Sequence, residues 1–157
     1  MREYEAPRYD LILKLILTVG LPGSGKSTYL ARLGVNPISS DDIRRLLADD
    51  PNIQTIHRRV FAVVRYLVRQ RLELHRQETY IDATNLTVWE RRPYICLGQM
   101  YGAKVEALFF DTPLDVCLER NRRRDRIVPE EALRELAERL RPPTTDEGFH
   151  RIVRLGL

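Results

Sequence analysis

Residues 11–28 read LILKLILTVGLPGSGKST, and this stretch decides the fold. Residues 11–19 are a nearly continuous apolar run, the pattern of a central parallel strand buried on both faces. The run enters Gly20-Leu21-Pro22-Gly23-Ser24-Gly25-Lys26-Ser27, the full spacing of a Walker A phosphate loop, and then a helix over 27–33. Glycines at 20, 23 and 25 let backbone N–H groups turn inward around phosphates. Lys26 reaches the β- and γ-phosphates, and the Ser27 hydroxyl is placed to ligate Mg²⁺. The helix that follows points its positive end at the same spot. Gly20, Pro22, Gly23, Ser24, Gly25, Lys26, Ser27 and Thr28 are therefore the candidate residues for binding ATP, or another nucleoside triphosphate, with Mg²⁺.

Outward from the loop, strand and helix signals alternate to the end of the sequence. Residues 37–39 form a short second strand, and a helix over 41–48 follows with Ser40 or Asp41 as its N-cap. A long helix over 53–76 carries an apolar stripe at Ile56, Val60, Val64, Leu67 and Val68. Residues 78–82 are a third strand, 88–101 a helix and 104–110 a fourth strand. Residues 114–124 are helical, Pro129 sits in the first turn of a helix reaching 139, and 149–155 form a last strand. Strands alternating with helices after a phosphate loop imply an α/β P-loop NTPase fold. Its parallel sheet is flanked by helices on both faces, with a helical arginine-bearing lid and the active site at the carboxyl ends of the strands.

The length of 157 residues suits a single kinase-sized domain over 1–157, with residues 1–10 a loosely held, flexible N-terminal segment. The apolar run at 11–19 is about half of what a bilayer crossing needs, and Lys14 interrupts it, so no membrane partner is expected. Cys96 and Cys117 lack metal-ligand spacing and read as reduced core thiols of a cytoplasmic protein. The formal charge of +4 suits an anionic substrate without proving nucleic acid. His57, His75 and His150 form no ligand pattern.

Three further clusters bear on the chemistry. In Ser39-Ser40-Asp41-Asp42-Ile43-Arg44-Arg45, a carboxylate at a strand end beside the phosphate loop can take the proton of an attacking hydroxyl. Arg44, one turn on and on the same face, can hold an anionic part of the acceptor. The bland reading makes Asp41 a helix cap and Arg44 a surface charge. In Asp82-Ala83-Thr84-Asn85-Leu86-Thr87, the acid after the third strand can orient Mg²⁺ or position the base; its rival is an ordinary turn. Residues 120–126 hold five arginines in seven positions, the anatomy of a lid that stabilises charge on a transferring phosphoryl group. The helix dipole also favours arginines there, so some are surface. Arg58, Arg65, Arg69 and Arg76 share a helix face that fits either a polynucleotide backbone or simple solvation.

Together, GLPGSGKST at 20–28, SSDDIRR at 39–45, IDATNLTVWERR at 81–92, FFDTPLDVCLERNRRR at 109–124 and PPTTDEGFHRI at 142–152 resemble the polynucleotide 5′-hydroxyl kinase family, kinase domains of the phage and bacterial type. The resemblance covers nearly the whole chain. It implies transfer of the γ-phosphate of ATP or another NTP to the 5′-hydroxyl end of RNA or DNA. It further implies Asp41 as general base, Arg44 on the acceptor's 3′-side phosphate, and Arg120 and Arg124 on the donor phosphates. Lys26 would act on the transferring group, and Ser27 with Asp82 would serve the metal. Family members often carry Arg where this chain has Ser40. The alternatives are a small-molecule kinase acting on a sugar, nucleoside or antibiotic, and a nucleotide-binding switch or slow NTPase.

Overall fold

The computed structural model describes residues 11–156. The expected N-terminal segment 1–10 lies outside the described residues. Five parallel strands run in the order β2-β3-β1-β4-β5. They are β1 (Lys14–Val19), β2 (Ile38–Ser39), β3 (Glu78–Asp82), β4 (Lys104–Phe110) and β5 (Arg151–Leu155). The helices are α1 (Lys26–Leu33), α2 (Ser40–Ala48), α3 (His57–Glu73), α4 (Val88–Tyr101), α5 (Leu114–Arg122) and α6 (Glu130–Arg139), followed by a 3₁₀ turn at Thr145–Glu147.

The central strand explains the layering. Leu15, Leu17 and Val19 point to one face, where Val60, Val64, Val68 and Leu72 of α3 and Tyr94, Ile95 and Leu97 of α4 cover them. Ile16 points to the other, against Leu30 of α1, Leu108 and Phe110. Both faces of β1 are thus buried, which is why the strand reads as unbroken apolar sequence. A third cluster sits under the lid, where Cys117 and Leu118 of α5 meet Leu133 of α6, with Leu21 and Leu86.

Several boundaries differ from the sequence expectation. β1 begins at Lys14, because Leu11 and Ile12 are exposed and precede the first paired residue. α3 begins at His57; residues 51–52 and 55–56 are in turns, with the Asp50 carboxylate accepting from the Asn52 amide at 2.8 Å. It ends at Glu73, and His75 at φ 53° turns the chain left-handed. Pro129 occupies the cap position of α6 rather than its first turn. Cys117 is buried as expected, but Cys96 lies on the outer side of α4 and is exposed, so it is not a core thiol. Among the described residues no helix is long and apolar enough to cross a membrane.

Candidate active site

The carboxyl ends of β1, β2 and β3 converge, and each carries part of the site. After β1, the loop is held in a shape that only glycine permits at its turning points. Gly23 sits at φ 83°, and a Cβ there would lie 2.8 Å from the Cys117 carbonyl oxygen. At Gly20 a Cβ would meet Ser24 Oγ at 2.7 Å. The Ser24 hydroxyl is buried with no hydrogen-bond partner among the described residues. α1 starts from Gly25 with no side-chain cap and no acid in its first turn, so its N–H groups remain available to an anion. Pro22 lines the adjoining cleft, and Thr28 is exposed beside Ser27 in that first turn.

Lys26 is folded back into this loop. Its ammonium donates to the carbonyls of Gly20 (3.1 Å) and Leu21 (2.8 Å). Burial pushes it down to about 8, opposed by Asp82 and reinforced by Arg124. The Ser27 hydroxyl donates to Asp82 Oδ2 at 2.7 Å across the ends of β1 and β3. Burial raises the Asp82 carboxyl, while the Ser27 hydrogen bond and Lys26 pull it back. A hydroxyl and a carboxylate form a hard oxygen pair. That fits Mg²⁺, which takes few protein ligands and completes its shell with phosphate oxygens and water. Among the described residues no group of three or more His, Cys, Asp or Glu could hold a metal by itself.

After β2, the helix cap decides the role open to Asp41. Ser39, not Ser40 or Asp41, caps α2, its Oγ accepting from the Asp42 amide at 3.3 Å. Asp41 is therefore one residue inside the helix, not its cap, and its carboxylate lines the cleft. Arg44, one turn on, is 4% exposed and donates from Nη1 to Asp41 Oδ1 at 3.4 Å. Its Nη2 lies 3.5 Å from His57 Nδ1, and its buried Nε has no partner among the described residues. Burial and then Arg44 push His57 below its ordinary value, so the ring is neutral near pH 7. His57 showed no ligand pattern in the sequence; the fold brings it to this arginine.

The lid closes the site from above. Arg120 Nη1 reaches the Gly23 carbonyl at 3.5 Å. Arg124 lines the cavities on both sides of Asp41, and Arg126 pairs with Asp41 Oδ1. Asn121 braces the lid loop, donating to the Val128 carbonyl (2.6 Å) and accepting from the Val128 amide (3.0 Å). The cleft between α2, α3 and α6 has a volume of about 710 Å³ and is lined by Lys26, Asp41, Arg44, His57, Glu90 and Arg139 among others. A second cavity of about 590 Å³ lies on the other side of the Asp41–Arg126 pair, against α1.

One buried residue escaped the sequence reading. Arg91 is fully buried and holds the turn after β3. It donates to the carbonyls of Asn85 (3.0 Å), Leu86 (3.1 Å) and Arg141 (2.9 Å), and its Nε and Nη2 form a fork on Glu147 at 2.8 and 3.0 Å. Asn85, at φ 46°, donates in turn to the Thr18 carbonyl in β1 at 2.8 Å. The turn that reads as a possible catalytic element is thus locked to both the central strand and the C-terminal segment. Arg58, Arg65, Arg69 and Arg76 do not enter the cleft; Arg58, Arg69 and Arg76 are exposed, and Arg76 lies beyond α3.

The family model described as AAA domain matches residues 15–143. No curated protein matches the sequence. Among solved structures, a chain of the Pnkp1/Rnl/Hen1 complex is 28% identical, with a TM-score of 0.61 over 72% of this chain; the match spans 40% of that longer chain. Chaetomium thermophilum Kti12 in complex with ADP-AlF3 is 20% identical, with a TM-score of 0.64 over 90% of this chain and 88% of its own. A gluconokinase from Sinorhizobium meliloti 1021 is 19% identical, with a TM-score of 0.58 over 94% and 84%. The last two likenesses are of fold alone.

Proposed function

The chain belongs to the AAA domain family matched by residues 15–143, within the broad class of P-loop kinases, and from that premise we propose transfer of the γ-phosphate of ATP or another NTP to the 5′-hydroxyl end of RNA or DNA. The observation that carries the acceptor side is Arg44. A buried guanidinium, one turn from a strand-end carboxylate and with Nε unpartnered, suits an acceptor that presents an anion next to its reacting hydroxyl. The phosphate on the 3′ side of a 5′-terminal nucleotide has that chemistry.

In this reading Asp41 accepts the proton of the attacking hydroxyl as its oxygen bonds the γ-phosphorus and the bridging bond to the β-phosphate breaks, releasing the nucleoside diphosphate, and Arg44 orients the acceptor. Lys26 exchanges its two carbonyl partners for the β- and γ-phosphate oxygens. Arg120 and Arg124 close over the donor phosphates. Mg²⁺, when bound at Ser27 and Asp82, supplies charge neutralisation of the β- and γ-phosphates. Most of the rate then comes from positioning and charge, as in phosphoryl transfer generally.

A second reading, a small anionic or polyhydroxylated acceptor, is favoured by the cleft wall. α6 closes one side, and its Glu135 stands among the lining residues, where a polyanion gains nothing. The test is transfer of labelled γ-phosphate to 5′-hydroxyl RNA and DNA oligonucleotides beside a panel of sugars and nucleosides. The expected result is label at the oligonucleotide 5′ end, reduced about 10²- to 10⁴-fold by Asp41→Asn with nucleotide binding retained. Label only on a small molecule would establish the second reading. Tight nucleotide binding with no transfer to any hydroxyl would leave a nucleotide-binding switch.

A further inference from the structure

Trp89 is the single tryptophan of the sequence, and it is 77% exposed at the start of α4. An isolated exposed aromatic needs no explanation. This one has three neighbours that do. The Arg92 guanidinium lies over its ring at 5.5 Å from the centroid. The next residue, Glu90, lines the cleft and accepts from Arg139 at 2.9 Å, and Arg139 lines the cleft as well. Three residues back, Leu86 lines the cleft too, and its carbonyl accepts from the Arg141 amide. Trp89 thus lies in the first turn of α4, between Leu86 and Glu90, which both line the cleft, with Arg92 over its ring.

We propose that Trp89 and Arg92 form a stacking platform for a base of a single-stranded polynucleotide acceptor, downstream of the 5′ nucleotide that occupies the cleft. This rests on the polynucleotide reading above and sharpens it. The cleft of about 710 Å³ is shared with the phosphate loop through Pro22, Lys26 and Ser27, so a strand longer than the terminal nucleotide must leave over a wall. Glu90, on one wall, is the residue next to Trp89 in the first turn of α4. An open indole face stacks any base, and the guanidinium over the ring adds a cation for the neighbouring phosphate. A sugar or antibiotic acceptor has no part that reaches this surface, so the platform distinguishes the two acceptor classes.

Because Trp89 is the sole tryptophan, its emission reports on the platform directly. The probes are thymidine 3′-monophosphate and 5′-hydroxyl oligothymidylate of about eight nucleotides, a length within the usual site size for single strands. The oligonucleotide is expected to quench the emission saturably, and the mononucleotide to leave it unchanged. In kinetics, Trp89→Ala should cut the kcat/KM advantage of the longer acceptor over the mononucleotide about tenfold. Trp89→Phe should keep most of that advantage, and Arg92→Ala should lose part of it. If the oligonucleotide is phosphorylated while emission stays constant and Trp89→Ala keeps the full length advantage, the platform is overturned and the kinase reading stands. If no oligonucleotide is phosphorylated and a small molecule is, both fall together.

Discussion

Arg126 of the lid and Asp41 of α2 form an ion pair across the cleft, on the same carboxylate oxygen that Arg44 approaches at 3.4 Å. Two cations thus share Oδ1. In the proposed reading, Arg126 occupies the carboxylate oxygen that would take the acceptor's proton. An ion pair of this partly exposed kind contributes up to about 1 kcal/mol. Arg126→Ala is therefore expected to lower the acceptor KM by up to about fivefold, measured by steady-state kinetics at saturating nucleotide. A KM that rises instead would mean that Arg126 holds the acceptor rather than competing with it.

Lys26 gives the nucleotide affinity a definite pH dependence. Burial disfavours the charge on its ammonium and pushes it down to about 8. Bound phosphates favour the charged form and raise that value, so above about pH 8 binding has to take up a proton. Affinity should then fall by up to about tenfold per pH unit above 8, and be flat below it with respect to this group. Calorimetry in buffers of different ionisation enthalpy would detect the proton uptake. A flat affinity from pH 7 to 9.5 would refute it.

Ser27→Ala removes the hydroxyl that faces Asp82 at 2.7 Å. The Mg²⁺ concentration giving half-maximal activity should rise about tenfold or more, with the melting temperature little changed. An unaltered Mg²⁺ dependence would place the metal elsewhere.

The Arg91–Glu147 pair is fully desolvated on the arginine side. Removing one partner leaves an uncompensated buried charge, which costs about 3–5 kcal/mol. Glu147→Ala should lower the melting temperature by roughly 10 °C in a chain of this size. Replacing both partners by apolar residues of similar volume should recover much of that loss. Thermal unfolding of the single and double variants decides it.

The parts of the molecule that could be read in advance are those where chemistry acts through the local chain. β1 betrays itself because burial on both faces leaves no room for polar residues, and the phosphate loop because its turns need glycine. Asp82 was locatable because β3 is short and ends in it. Asp41 was ambiguous, since Asp and Ser cap helices about equally well, and only the backbone position of Ser39 resolves it. The start of α3 is not legible because Ile53 and Ile56 continue the helical period through residues that are not helical. Arg91 was invisible in principle: an arginine in a charged run reads as solvated, and its partners Arg141 and Glu147 lie 50 and 56 positions away. His57 escapes for the same reason, and Arg126 reads only as one of five lid arginines, since its pairing with Asp41 crosses the fold.

The Asn121 brace turns the lid into a ring. Its two bonds to Val128 pin the ends of residues 122–127 together, so the span between α5 and α6 is fixed whatever the loop does. Six residues cannot reach beyond about 20 Å even when drawn out fully, and a ring with joined ends spans at most half of that. The circumference of this ring, rather than the length of either helix, sets how far Arg123, Arg124 and Arg126 can travel. A residue added between 122 and 127 would lengthen the arm and leave its pivot where it is.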